Sequence, residues 1–85
     1  MTVYYKKRFQ KSFKKLPPLP RDKFKERLRL FRQNKFDPLL HNHSVDAAYP
    51  GCRSTNVTGD YRALFKEKGD DIVFVMIGTH PELYR

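Results

Sequence analysis

The sequence predicts an α+β fold in which a short N-terminal strand leads into a hairpin of two basic helices, and three further strands follow. Three observations predict it. Apolar residues in the first third recur at helical spacing, those in the last third alternate or run continuously, and prolines and glycines fall between the blocks. Eighty-five residues are enough for one domain, 1–85. A chain this short buries only about 60–65% of the surface it exposes when unfolded, so its core is small and its stability marginal. Seven Phe and five Tyr, with no Trp, supply much of that core.

Thr2 to Tyr5 is β-prone and reads as the first strand. From there Tyr5, Phe9, Phe13 and Leu16 fall on one helical face, until Pro17 and Pro18 remove a donor and stop the helix. Pro20 opens a second helix, Asp22 suits its positive end, and Phe24, Leu28 and Phe31 continue the stripe to a C-cap at Asn34. Asp37-Pro38 begins a connection through Leu39, Leu40 and the polar run His41-Asn42-His43-Ser44, and Pro50-Gly51 marks a turn. Arg53 to Val57 and Tyr61 to Lys66 read as strands, the second alternating Tyr61, Ala63 and Phe65 against Arg62, Leu64 and Lys66. After a turn at Lys68-Gly69-Asp70-Asp71, the run Ile72 to Ile77 is apolar on both faces, the mark of a central strand covered on both sides. The helical hairpin covers one side. The other calls for a cover from outside the chain, which implies a partner.

Charge is segregated along the chain. Residues 1–36 hold thirteen Lys/Arg against two acids, a net of +11, whereas residues 37–85 hold five against seven, a net of −2. A field concentrated this way points to a polyanion, nucleic acid first and an anionic membrane surface second. The single cysteine, Cys52, excludes an internal disulfide and a cysteine-built zinc site, and fits a reducing cytoplasm. The N-terminus lacks the apolar stretch of a signal peptide, and the longest apolar run is six residues, too short to span a bilayer. Histidines 41, 43 and 80 have no carboxylate or thiol at ligand spacing, and no glycine-rich phosphate loop is present, so no metal and no cofactor are expected.

What remains is a polar set that the strand order gathers. Asp60 opens one strand and His80 follows the next, so the two share an end of an antiparallel hairpin with Arg62, and a short turn puts His80 and Tyr84 on one side. His43 lies in the loop before the sheet. The set suits metal-free RNA cleavage, in which the ribose 2′-OH attacks its own 3′-phosphate. That reaction needs a base, an acid and a cation for the phosphorane oxygens; His, Tyr and Arg supply these, and tyrosine also stacks on bases. Each residue has a plainer use as well: His80 as a surface or capping residue, Arg62 as a partner of Asp60 or Glu67, Tyr84 as a core plug.

The run Gly59-Asp60-Tyr61-Arg62-Ala63-Leu64-Phe65, then Ile72 to Ile77 and Gly78-Thr79-His80-Pro81-Glu82-Leu83-Tyr84, resembles the RelE/ParE toxin superfamily, and within it the YafQ type, whose members end in a comparable Gly-Thr-His-x-x-Leu-aromatic motif. The order of elements extends the resemblance over nearly the whole chain, although only the last 27 residues are specific. It implies a two-helix hairpin packed on a mostly antiparallel four-stranded sheet. It also implies a type II toxin that is a ribosome-dependent endoribonuclease (an mRNA interferase), cleaving mRNA in the A site and held inactive by a cognate antitoxin. Carried over by position, His80 and Tyr84 match the catalytic pair of the terminal motif, Asp60 the acid before the strand, and Arg62 the arginine on the scissile phosphate. His43 matches the upstream histidine, with His41 competing for that place. Lys6, Lys7, Lys11, Lys14, Lys15, Lys23, Lys25, Arg29 and Arg53 become candidates for RNA contact, ribosomal RNA included. One departure stands out. Asn56 occupies a position where the YafQ type often has a further histidine, and an amide exchanges no proton at neutral pH. Two other readings stay open: a ParE-like toxin acting on DNA gyrase without cutting, and a toxin-fold protein reduced to antitoxin binding.

Overall fold

The computed structural model describes residues 1–84; Arg85, the last residue of the expected 1–85 domain, lies outside the described residues. Val3–Tyr5 forms β1, followed by α1 (Lys7–Lys14) and α2 (Pro18–Gln33). A two-residue strand β2 (His43–Ser44) precedes β3 (Arg53–Asn56), β4 (Tyr61–Lys68) and β5 (Asp71–Thr79), and the chain closes on a single turn of helix, α3 (His80–Leu83). The sheet order is β1-β5-β4-β3-β2. Only β1 runs parallel to its neighbour; every other pairing is antiparallel.

Most elements fall where the sequence puts them. The differences are physical. The sheet has five strands rather than four, because His43 and Ser44 pair with Ser54 and Arg53 and add a short edge. Strand β2 is too brief and too polar to show a two-residue period. Helix α2 starts at Pro18, with Pro17 in the capping position and Pro20 buried in the first turn, and no acid lies in that turn. Asp22 therefore sits too far along to compensate the helix end. Asn34 does cap α2, in an extended conformation, and its side chain accepts from the Phe36 amide. Between β4 and β5 the turn is Gly69-Asp70, with Gly69 in the left-handed region at φ 60° that glycine enters without cost.

Strand β5 is central, as its apolar run requires. On the helix side, Phe74 is the hub: the rings of Tyr5, Phe9, Phe24, Phe31 and Phe65 all lie with centroids 5.2–5.9 Å from its own. Ala63 and Phe65 complete this layer from β4, as the alternation predicts, across a register shift between Leu64 and Phe65. Each such ring contributes roughly 1.5–3 kcal/mol by burial, and aromatic pairs add about 0.5–1.5 kcal/mol. That is how a small chain holds its hairpin to its sheet. The other side of the sheet corrects the expectation of an outside cover. Leu64, Met76 and Leu83 form a second buried cluster, joined by Val45, Tyr49, Val75 and Tyr84. The cover comes from α3 and from the 45–52 loop. Both are too short to register as helices in a periodic reading, yet Leu83 is 5% exposed.

Candidate active site

The end of the β4–β5 hairpin is built from the chain's most specific stretch. Thr79 ends β5 and caps α3: its Oγ1 accepts from the Glu82 amide at 3.3 Å, while the Glu82 carboxylate accepts from the Thr79 amide at 2.7 Å. Thr-x-x-Glu before an apolar residue is a capping box, legible in the sequence at 79–82. Pro81 in the first turn adds a preset φ. The His80 amide donates to the Asp60 carbonyl at 3.1 Å, tying α3 to the start of β4. Gly78 lies close under α3: a Cβ there would come 3.3 Å from the Glu82 carboxylate, a tight approach, and 3.6 Å from Leu83, an ordinary contact.

One turn of helix brings the His80 and Tyr84 rings together, centroids 4.7 Å apart. His80 is exposed and Tyr84 half-buried. Tyr84 also meets Tyr49 edge-on at 5.8 Å, and the Tyr49 hydroxyl donates to the Leu83 carbonyl. The Tyr84 phenol is held above the ordinary tyrosine pKa, first by burial and then by Tyr49 and Cys52, with the Arg62 guanidinium pulling the other way. The phenol is therefore an O–H donor at neutral pH.

Arg62 lies on the sheet face opposite the helical hairpin, as its alternation predicts. Its Nη1 donates to the carbonyls of Thr58, Gly59 and Tyr61 at 2.8–3.0 Å, which locks the arginine to the turn before β4. It forms no ion pair with Asp60 or Glu67; Glu67 pairs with Lys35. The fork's other nitrogens, Nε and Nη2, have no partner among the described residues and remain for an anion. Asp60 is exposed at the same end, its carboxylate without a hydrogen bond or ion pair among the described residues.

His43 is not brought into contact with this group. Pairing places it in the row His43–Ser54–Leu64–Met76, on the same face as Arg62, whose own row is Asn56–Arg62–Gly78. Two strand spacings separate β2 from β4, roughly 10 Å. Its Nδ1 lies 2.7 Å from the His41 carbonyl. A carbonyl only accepts, so Nδ1 carries the proton and Nε2 is left as the basic nitrogen. His41, at the left-handed φ of 45°, lays its ring 4.6 Å from that of His43.

Asn56 pairs with Arg62, and its Oδ1 is buried with no hydrogen-bond partner among the described residues. The remaining candidates are spread out. Lys6, Lys7, Lys11, Lys14, Lys15, Lys25 and Arg29 are exposed on or beside the two helices, and Lys23 pairs with Glu26 at 3.4 Å. Arg53 faces away from the site: it donates to Asn42 and lies 5.8 Å from the centre of the Phe36 ring. Tyr49 is the residue that sequence reasoning missed; only its place before the Pro50-Gly51 turn singles it out. Among the described residues no cluster of three His, Cys, Asp or Glu is arranged to hold a metal.

Solved structures share this fold. YafQ from E. coli strain BL21(DE3) matches with a TM-score of 0.79 at 20% identity, over 98% of this chain and 97% of that one. A chain of the E. coli DinJ-YafQ toxin-antitoxin complex gives 0.76 at 21%, over 98% and 96%. A chain of the RelB-RelE antitoxin-toxin complex from Methanococcus jannaschii gives 0.72 at 23%, over 96% and 95%. No protein-family model and no curated protein sequence matches. The α+β, RelE-like fold that the terminal motif implied is the fold of this chain.

Proposed function

We propose that this chain, with the fold of the YafQ and RelE toxins, is the toxin of a type II toxin–antitoxin pair and an endoribonuclease that cuts mRNA in the ribosomal A site. The observation that carries the reading is the meeting of Arg62, His80 and Tyr84 at one end of the β4–β5 hairpin, with the phenol held neutral. In the reaction, a base takes the proton of the ribose 2′-OH, and that oxygen bonds to the adjacent phosphorus. The P–O5′ bond breaks, an acid protonates the departing oxygen, and a 2′,3′-cyclic phosphate and a 5′-hydroxyl remain. Arg62, with donors to spare, stabilises the charge gathering on the phosphorane. Tyr84 or His80 protonates the leaving oxygen. His43, its Nδ1 held by the His41 carbonyl and its row on the same face of the sheet as Arg62, supplies the base. Asp60 orients or charges the histidine side of the site.

The lysines of α1 and α2 dock the protein on ribosomal RNA, with an affinity that falls as salt rises and counterion release drives binding less. An acidic antitoxin neutralises the same surface. No helix among the described residues is long and apolar enough to cross a membrane, and the proposed place of action is the cytoplasm. Primer extension on translated mRNA after induction tests the whole reading. Discrete cuts are expected for the wild type and a loss of about 10²–10⁴-fold for His80→Ala. Identical cutting by both sinks the site, and DNA damage without mRNA cuts sinks the reaction.

A further inference from the structure

Beside the candidate active site lies a second concavity that the chemistry above does not use. After Tyr5 the chain leaves the edge of β5 and turns into α1, and there a cavity of about 450 Å³ opens. Four cations line it: Lys6, Lys7 and Arg8 from the start of α1, and Lys66 from β4. No acid lines it, and none of the four side chains has an ion-pair or hydrogen-bond partner among the described residues. Its floor is apolar, with Cys52, Met76 and Tyr49. Burial pushes the Cys52 thiol up, against the opposing pull of Lys66, so the floor adds no negative charge at neutral pH. Three like charges at the positive end of a helix with no capping side chain are unfavourable on their own, a cost that a bound anion offsets.

The shape selects the ligand's class. A bare phosphate fills the cationic rim and leaves the apolar floor wet. A flat apolar body bearing a phosphate fills both, as a nucleotide does. The position selects the source, because Tyr49 lines the cavity and its ring also meets Tyr84 of the active site at 5.8 Å. We propose that this cavity is a nucleotide subsite: it holds the nucleotide next to the scissile one on a single-stranded RNA, with its phosphate among Lys6, Lys7, Arg8 and Lys66 and its base on the Tyr49–Met76 floor. The inference rests on the ribonuclease reading for what lies next door, and adds Arg8, Tyr49 and Lys66 to the substrate-binding residues.

The test uses the whole chain and a fluorescent 2′-O-methyl trinucleotide, which cannot be cleaved because the attacking hydroxyl is blocked. Anisotropy titrations compare the wild type with Arg8→Ala/Lys66→Ala across a salt series; both side chains are exposed, so the fold is retained, as circular dichroism checks. Expected are an affinity loss of about tenfold and a salt slope shallower by about 0.7 for each phosphate no longer neutralised. A trinucleotide abasic at one position should bind about fivefold or more weakly to the wild type and lose that difference in Tyr49→Ala. Equal affinity and slope in wild type and double variant overturn the subsite. So does a double variant that loses an acidic peptide but keeps the RNA, which assigns the cavity to a protein partner. The two readings fail separately. His80-dependent cutting of mRNA with unchanged trinucleotide affinity removes only the subsite; lost affinity in a protein that cuts nothing removes only the ribonuclease.

Discussion

Thr79→Ala tests whether the site depends on a single turn of helix. The substitution removes the Oγ1 that accepts from the Glu82 amide and donates to the Glu82 carboxylate at 2.8 Å, so both halves of the capping box are disturbed. Losing a Thr cap costs about 0.5–2 kcal/mol. Helix α3 has four residues, so it has no propagation to fall back on; burial of Leu83, the His80–Asp60 amide bond and the contacts of Tyr49 with Leu83 and Tyr84 remain to hold it. The cost therefore falls on the local opening of α3. At the upper half of that range, 1–2 kcal/mol is about a 5–30-fold change in the ratio of docked to frayed helix. The cleavage rate should fall by up to that factor, because His80 and Tyr84 are displaced together. Hydrogen exchange at the Tyr84 amide, which donates to His80, should quicken to match. Thr79→Ser keeps a hydroxyl and should restore most of both. A Thr79→Ala protein whose Tyr84 amide exchanges faster while cleavage stays at the wild-type rate would refute the reasoning, since the site would then work without α3 in place.

Two other consequences follow from buried polar groups. The raised pKa of Tyr84 means that the folded state favours the neutral phenol. Its contribution to stability is fully present below the ordinary value near 10 and lost as pH rises through the higher folded value; phenolate absorbance should show a late-titrating tyrosine that Tyr84→Phe removes. The buried, unpartnered Oδ1 of Asn56 is a desolvated acceptor with nothing in return, so Asn56→Leu should stabilise the protein by about 1 kcal/mol. In a domain this size that is a rise in Tm of about 4–8 °C by calorimetry; a fall would show that the oxygen is satisfied after all.

Both the helical hairpin and the β4–β5 pairing were legible because many residues repeat one signal: five aromatics on a helical stripe, and alternation from Tyr61 to Lys66 against an unbroken apolar run. The candidate site was legible by a different route, since Asp60, Arg62, His80 and Tyr84 are close in sequence or joined by one turn. Strand β2 and the second cover of the sheet were not legible. His43 and Ser44 are two residues whose strand state is decided by Ser54 and Arg53 on another segment, and no local pattern encodes that. Tyr49 joins the site only through Tyr84 and Leu83, more than thirty residues away.

The corrected cover also changes what a partner is needed for. If the far face of the sheet were bare, a partner would be required for folding, and the antitoxin would be a structural subunit. Leu64, Met76 and Leu83 are instead closed in by Tyr49 and Tyr84, two residues of the candidate site. The same side chains thus complete a small core and line the candidate site. Truncating Tyr84 opens that core as well as removing the proposed acid, so the two effects separate only with Tyr84→Phe, which keeps the ring against Tyr49 and removes the hydroxyl alone. The antitoxin of the proposed pair, by contrast, need not supply the fold, and on that proposal acts on the charged surface and the candidate site.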